Sequence, residues 1–382
     1  MICILNFLHQ QKCLCIQLLF IKLYHISTKL KQVYIVVSSL RSVFGTYRND
    51  DTRHFLFHLI ADIGLLSAEN FRNICPNALP EGIGQDLGAN RIMLEGHYLY
   101  DILDPEADFD KYRLLILPDT MEIPEGALRD KLNAYLACGG KLLLTGKSGT
   151  YEGKFVFDSG VDFGGEGQSR PAYLHPCFDL EPNGQTSYVT YSRNYDITLR
   201  EGFDGEVRDL KVESYFNRAP RRFCSHQHTP YNREKTSPAA VVTTQIGYIG
   251  WDIFTEYADK GSVHVKYAVL DIIDRLLGND KTLVTDLPSC GVTSVAVKDT
   301  EGGTQLIHQL VYAIPKVRGN GIEIIEDLPF TPDVTCSLAA PAAPKRVYLA
   351  PAMTDLPFTY EDGRVTYTVP GFSCSAMVVI EM

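Results

Sequence analysis

The stretch RLLILPDTMEIPEGALRDKLNAYLACGGKLLLTGKSG, residues 113–149, decides the fold class of this 382-residue chain. The apolar runs at its two ends, RLLILPD and KLLLTG, are short and continuous and stop at turn residues, as buried strands do. Between them Pro124 opens a segment that has Glu125 in its first turn and Gly139-Gly140 at its end, which predicts a helix. Strand, helix and strand at this spacing are typical of a parallel sheet covered by helices.

The same alternation continues on both sides of this stretch. Towards the N-terminus, VYIVVSS (33–39) predicts a strand and TRHFLFHLIADIGLL (52–66) places apolar residues at helical spacing. Towards the C-terminus, AAVVTTQIGYIGW (239–251) and YADKGSVHVKYAVLDIIDRLL (257–277) predict the last strand and helix. We therefore predict an α/β domain with a parallel sheet over residues 33–280.

The pattern changes after residue 280. Runs such as VTSVAVKD, TQLIHQLVYA and RVTYTV are short and β-rich, and Gly, Pro and the pair Asp362-Gly363 separate them. About a hundred residues of such runs without an amphipathic helical pattern are typical of an antiparallel sandwich. We predict a small antiparallel β-sandwich domain over residues 281–382.

The first 32 residues do not fit either domain. They are apolar but are interrupted by polar residues such as His9, Lys12, Gln17 and Lys22. A membrane span needs about 20 consecutive apolar residues, so this segment does not predict one, and we expect no membrane partner. We interpret residues 1–32 as an atypical leader outside the fold, the upstream end of a truncated gene or the product of a misplaced start. A degenerate signal or a peripheral membrane helix is the alternative interpretation.

The net charge of the chain restricts its possible partners, and its cysteines indicate its cellular compartment. The chain has 36 basic and 46 acidic side chains and a net charge of −10, which argues against a surface that follows nucleic-acid phosphates. Its ten cysteines are scattered and form no C-x-x-C pair. A chain of this length does not need disulfides, so we predict mostly buried thiols and a reducing, cytoplasmic compartment.

Two residues near the central stretch are candidates for catalysis. Asp119 follows a predicted strand, where α/β sheets place their sites, although Asp is also a frequent turn former. Ser148 lies in G-K-S-G-T, which is one residue short of the G-x-S-x-G nucleophile elbow because Thr150 stands where glycine is needed.

The densest group of possible metal ligands is Cys224, His226 and His228. Two histidines two residues apart on an extended segment point to the same side and could share an ion. No carboxylate pair lies near them in sequence, so a polar loop with hydrogen-bonded imidazoles is the alternative interpretation. The sequence predicts no cofactor.

Several stretches together resemble a known family. Residues 113–149, with LEGHYLYDILDPEADFDKY (94–112), IGYIGWDIFTEYADKGS (246–262) and LPFTYEDGRVTYTVP (356–370), are similar to the trimerisation domain and C-terminal β-domain of family 42-like β-galactosidases and related glycoside hydrolases. The resemblance covers about residues 33–382. It implies a class I glutamine amidotransferase-like, flavodoxin-like fold for the α/β domain and a homo-oligomer, by resemblance a trimer.

In this family the chemistry belongs to an N-terminal (β/α)₈ barrel with two catalytic glutamates, and such a barrel takes about 250 residues. Only 32 residues precede the similar region, and the chain contains no Asn-Glu dipeptide, which usually carries one of those glutamates. The resemblance therefore implies a non-catalytic oligomerisation or accessory portion, with a carbohydrate substrate reached only through a missing catalytic domain. Two alternatives are a self-sufficient hydrolase with a site in the α/β domain and a carbohydrate- or metal-binding module.

Overall fold

A computed structural model of the chain describes residues 57–68, 84–179, 186–319 and 322–382. These residues divide into two compact units. We call Ala61–Lys281 the mixed-sheet unit, and Thr282–Met382 together with Phe57–Ile60 the antiparallel unit. The described residues are mostly β structure with few helices. The predicted leader and domain limits stay predictions, and the strand predicted over residues 33–39 lies outside the described residues.

The strands follow one another along the described part of the chain. They are β1 (Phe57–Leu59), β2 (Ile63–Leu66), β3 (Tyr100–Leu103), β4 (Leu114–Leu117), β5 (Lys141–Thr145), β6 (Thr150–Tyr151), β7 (Lys154–Phe155), β8 (Val161–Glu166), β9 (Ala172–Pro176), β10 (Tyr188–Thr190), β11 (Tyr195–Leu199), β12 (Glu206–Ser214), β13 (Tyr231–Val242), β14 (Ile246–Ile249), β15 (Leu283–Thr285), β16 (Gly291–Thr300), β17 (Gly303–Tyr312), β18 (Lys316–Gly319), β19 (Ile322–Ile324), β20 (Val334–Ala339), β21 (Arg346–Ala350), β22 (Thr354–Asp355), β23 (Phe358–Glu361), β24 (Arg364–Val369) and β25 (Cys374–Glu381).

The α-helices of the described residues lie in the mixed-sheet unit. They are α1 (Gly84–Glu95), α2 (Ala127–Ala137), α3 (Ile253–Lys260) and α4 (Val263–Leu277), and a short 3₁₀ turn, Gly278–Asp280, follows α4. Within the described ranges, no helix combines the length and the apolar character that crossing a membrane requires.

The main sheet of the mixed-sheet unit has the strand order β10-β9-β12-β13-β14-β5-β4-β2-β3. The strands from β14 to β3 pair in parallel, and those from β10 to β14 pair antiparallel. Numbered along the chain from β2, the parallel strands have the spatial order 2-1-3-4-5. Strands β2, β4 and β14 are buried along their whole length, as expected for parallel strands that helices or loops cover on both faces.

A separate hydrophobic core lies on each face of this sheet. Along β4, Leu114 and Ile116 belong to one core, and Leu115 and Leu117 belong to the other, because successive side chains of a strand point to opposite faces. The first core contains the apolar residues of α1, α3 and α4. The second contains those of α2 and residues of β8 and β11.

The antiparallel unit consists mainly of two sheets, with the orders β1-β16-β17-β25-β21-β22 and β15-β20-β24-β23. His308 on β17 and Tyr367 on β24 link the two sheets through a hydrogen bond of 2.6 Å between Nδ1 and the phenol oxygen. Both side chains are buried, and burial lowers the pKa of His308 to about 3. This imidazole is therefore a neutral part of the core.

The helix predicted over residues 52–66 is wrong within its described part. The chain forms β1 and β2 there, joined by a bend at Ile60–Asp62. Every residue of β2 is buried, and a short continuous apolar run fits a buried strand as well as a buried helix, so periodicity cannot distinguish them. Residues 52–56 lie outside the described residues.

Candidate functional site

The candidate site lies at the carboxyl ends of β4, β5 and β14. Asp119 follows β4, the turn Gly146–Ser148 follows β5, and Asp252 follows β14. These three strands are parallel neighbours, so their ends meet at one edge of the sheet. Open α/β sheets place ligands and reactive groups at this edge.

Asp119 caps a helix that begins far along the chain. Its carboxylate accepts hydrogen bonds from the backbone N–H groups of Phe254 at 3.3 Å and Thr255 at 2.8 Å, and from the Thr255 hydroxyl at 2.7 Å. Both N–H groups lie in the first turn of α3, where no intrahelical acceptor is present. Asp252 occupies the N-cap position of α3, but its side chain makes no capping hydrogen bond. Asp119 therefore accepts the hydrogen bonds that an N-cap side chain usually accepts.

The backbone of Asp119 is also fixed. Its φ angle is +43°, in the left-handed region, and its carbonyl oxygen accepts hydrogen bonds from the N–H groups of Lys147 at 2.6 Å and Ser148 at 3.1 Å. The Thr145 hydroxyl donates to Oδ1 of Asp119 at 2.8 Å. The residue is fully buried, so these contacts tie the end of β4 to the turn that follows β5.

Asp252 is the second carboxylate of the site. It is 3% exposed and accepts hydrogen bonds from Nε of Arg193 at 2.7 Å and from the Tyr195 hydroxyl at 3.1 Å. Gly146 separates the two acids. A Cβ atom at Gly146 would lie 2.4 Å from Oδ1 of Asp252 and 2.6 Å from the carbonyl oxygen of Asp119, so the close packing requires glycine there.

Burial and proximity shift the ionisation of both acids. Burial, and then the neighbouring Asp252 carboxylate, raise the pKa of Asp119 to about 7, although hydrogen bonds from Thr255 and Thr145 oppose the rise. Burial also raises the pKa of Asp252, while its ion pair with Arg193 lowers it. Two neighbouring buried carboxyl groups favour retention of a proton by one of them. The pair could therefore act chemically as an acid beside a carboxylate.

Whether a substrate can reach the two carboxyl groups decides which reactions they could catalyse. Glycoside hydrolysis requires two carboxyl groups on opposite sides of an accessible anomeric carbon. Here Asp119 is enclosed, and its carboxylate is occupied by α3 and by Thr145. This geometry describes a structural cap, and Asp119 stays only a candidate for catalysis.

Ser148 closes the turn after β5. Its Oγ accepts a hydrogen bond from the Thr145 N–H at 2.7 Å, and its own N–H donates to the Thr145 carbonyl at 2.9 Å. A nucleophilic serine needs a base within about 2.6–3.2 Å. Among the described residues no histidine forms a hydrogen bond with this buried side chain. Ser148 stays only a candidate nucleophile.

The predicted metal ligands lie together on the loop between β12 and β13. Sγ of Cys224 donates a hydrogen bond to the carbonyl oxygen of His226 at 3.2 Å. Nδ1 of His228 lies 3.4 Å from the Tyr191 hydroxyl, and its ring packs edge-on against Tyr191 and Tyr173. No group of three His, Cys, Asp or Glu residues in the described ranges could hold a metal ion. These three residues stay only candidate metal ligands.

Comparison with known proteins adds a family context. No protein-family profile and no curated protein sequence matches the chain. Among solved structures, α-L-fucosidase isoenzyme 2 from Paenibacillus thiaminolyticus is 36% identical, with a TM-score of 0.77 over 90% of this chain and 51% of the fucosidase. A β-galactosidase from Bacillus circulans sp. alkalophilus is 14% identical, with a TM-score of 0.51 over 85% of this chain and 42% of that enzyme, a likeness of fold alone.

The chain resembles a portion of a glycoside hydrolase. This finding confirms the resemblance predicted from the sequence, and it is consistent with the C-terminal part of such an enzyme. The chain spans about half the length of the fucosidase that it matches.

Sequence reasoning missed part of the candidate site. It did not single out Asp252, Arg193 or Tyr195. An aspartate directly before an apolar helical run is a preferred N-cap, so Asp252 carried a detectable signal. Arg193 and Tyr195 lie in an irregular segment without such a signal, and only the fold brings them to Asp252.

Proposed function

We propose that this chain is the non-catalytic assembly portion of a glycoside hydrolase. The proposal is that it forms a homo-oligomer and borders the carbohydrate site of a catalytic domain. The observation that carries it is the 36% identity and TM-score of 0.77 with about half of an α-L-fucosidase. The whole protein would then act on terminal sugars of the kinds named for the relatives, fucose or galactose.

The strand order supports an amidotransferase-like domain in this portion. The spatial order 2-1-3-4-5 of the parallel strands is that of flavodoxin-like folds, to which the predicted domain belongs. Helices and loops cover both faces, with α1, α3 and α4 on one and α2 on the other. We extend this proposal to the predicted domain limits, residues 33–280 and 281–382.

An exposed aromatic surface supports assembly. On the loop between β12 and β13, Phe223 is 74% exposed and Tyr215 is 58% exposed. The guanidinium of Arg218 lies 5.5 Å from the centre of the Phe223 ring. Exposed aromatic side chains and arginine are enriched in protein interfaces. We propose that this loop contacts another copy of the chain, in a trimer.

Mass photometry and sedimentation of the full chain at micromolar concentration test the proposal. We expect an oligomer, and we expect the double variant Tyr215→Ser/Phe223→Ser to dissociate it because the aromatic contacts are lost. Val284→Ser is the control, because Val284 is also exposed but lies in the antiparallel unit. A strictly monomeric wild-type chain would contradict assembly, and a double variant that assembles like the wild type would exclude the loop as the contact.

A further inference from the structure

We propose that a groove on the mixed-sheet unit binds a short, neutral oligosaccharide at a site separate from the carboxylate pair. The groove lies between the end of α2, the segment after β7, the loop between β11 and β12, and the turn between β13 and β14. Its volume is about 720 Å³, within the range of small-molecule sites. The inference that the ligand is a sugar rests in part on the proposed glycoside hydrolase function. The existence of the groove and the chemistry of its side chains do not depend on that function.

An aromatic ring gives the groove a flat apolar wall. Phe203 is half-buried, and two glycines make room for its ring. A Cβ atom at Gly160 would lie 2.8 Å from the Phe203 ring, and one at Gly205 would lie 2.6 Å from it. The ring is therefore packed closely against the backbone at these two glycines. A fixed aromatic face suits the C–H face of a sugar ring, which is apolar and flat.

The rim supplies hydrogen-bonding groups that lack protein partners. The side chains of Asn133, Glu201, Asp204 and Thr244 line the groove, are exposed, and form no hydrogen bond or ion pair with another described residue. They comprise an amide, two carboxylates and a hydroxyl, which between them donate and accept. A ligand with several hydroxyl groups satisfies such a mixed set, because each hydroxyl can both donate and accept.

One rim acceptor is already oriented. Nε2 of Gln245 donates to the carbonyl oxygens of Leu136 at 2.9 Å and Gly140 at 3.1 Å, near the end of α2. These two bonds fix the amide plane and leave Oε1 without a donor among the described residues. An acceptor fixed in advance costs less conformational entropy on binding than a mobile one.

The charge of the groove selects against anions. Asp158 forms an ion pair with Arg200, while Glu201 and Asp204 have no basic partner among the described residues. Three carboxylates against one guanidinium leave the groove negative. A phosphate or an acidic sugar would meet like charge, whereas the hydroxyl groups of a neutral sugar can donate to the carboxylates.

The test uses the full chain with lactose, cellobiose and 2′-fucosyllactose, followed by saturation-transfer NMR and calorimetric titration. Lactobionate serves as the anionic counterpart of lactose, so the two probes compare the effect of ligand charge. We expect a Kd for at least one neutral probe in the millimolar range. Glu201→Gln/Asp204→Asn should raise that Kd about tenfold, because hydrogen bonds to charged groups are the stronger ones. Both changed side chains are exposed, so the fold should persist, and the buried Trp251 reports this by its fluorescence.

The control variant is Glu234→Gln, an exposed acid of the same unit outside the groove, which should leave the Kd unchanged. The proposal is overturned if none of the neutral probes binds at about 50 mM, a level where a millimolar site would be nearly full. It is also overturned if the double variant binds like the wild type, or if lactobionate binds as tightly as lactose. The oligomeric state of the same samples separates the two proposals, because loss of assembly with intact sugar binding contradicts only the assembly proposal.

Discussion

Asp119 is a buried acid whose ionisation is coupled to the stability of the mixed-sheet unit. Its folded pKa of about 7 lies above the value of about 3.9 expected in the unfolded chain. Its contribution to stability is therefore complete below pH of about 4 and is lost as the pH rises through about 7. We expect Asp119→Asn to reduce the fall in stability between these pH values, a slope of at most about 1.4 kcal/mol per pH unit in the wild type.

Urea unfolding followed by Trp251 fluorescence measures this effect. Trp251 is the only tryptophan of the chain, and it is buried in the mixed-sheet unit. Asp204→Asn is a matched control, because it removes a carboxylate from an exposed position of the same unit. Equal pH slopes for the wild type and Asp119→Asn would contradict the shifted ionisation. A residual slope is compatible with it, because burial also raises the pKa of Asp252.

At the residue scale, the sequence predicts where a residue lies in the fold better than it predicts which residues it contacts. Asp119 could be placed at a strand end because the apolar run before it stops there. Its contacts with Phe254 and Thr255 could not be predicted, because they depend on β14 lying beside β5. A strand-end aspartate gives the same local pattern whether it turns the chain, binds a ligand or caps a distant helix.

The turn after β5 depends on one glycine, and substitution there tests how tightly the strand ends pack. Gly146 has a φ of +58°, and a Cβ atom would meet Asp252 and the backbone of Asp119 at under 3 Å. Gly153 has a φ of +76°, but no atom lies within 4 Å of its Cβ position. Gly153→Ala should cost about 1–2 kcal/mol from backbone strain alone. Gly146→Ala should cost about 1–3 kcal/mol more, because overpacking is added.

The free energies of unfolding of the two variants, again from Trp251 fluorescence, give this difference directly. Both changes add the same methyl group to a left-handed position in a turn, so the comparison isolates the packing. If Gly146→Ala and Gly153→Ala cost the same, the ends of β4, β5 and β14 are packed more loosely than the distances indicate.

At the element scale, long patterns with clear ends were predicted well. The helix between the two central strands was predicted from Pro124 and Gly139-Gly140, and it spans Ala127–Ala137. The segment 52–66 was mispredicted because its apolar residues are nearly continuous and no Gly or Pro marks the bend between β1 and β2. Strand pairing there is decided by long-range partners, since β1 pairs with β16 and β2 with β3 and β4.

At the scale of the whole molecule, two facts bear on activity. The chain matches about half of an α-L-fucosidase, and the acids that burial perturbs are enclosed. The pKa values of these acids are all raised by burial, and each residue is at most 3% exposed: Asp119, Asp209, Asp252 and Glu256. A raised pKa is what a general acid needs, but here it is obtained by excluding solvent from the carboxyl group. The same enclosure excludes a sugar ring.

We therefore expect the purified chain to hydrolyse neither aryl β-galactosides nor aryl α-fucosides. Hydrolysis needs two carboxyl groups about 5–9.5 Å apart with the anomeric carbon between them, and the enclosed Asp119 and Asp252 leave no room for it. The measurement compares release of the aryl group by the wild type and by Asp119→Asn, purified in parallel. Equal traces of activity in both would indicate a contaminating enzyme. Activity that follows the wild type through every purification step and disappears in Asp119→Asn would show instead that the strand-end carboxylate is catalytic, because the substitution keeps the size of the side chain and removes its charge.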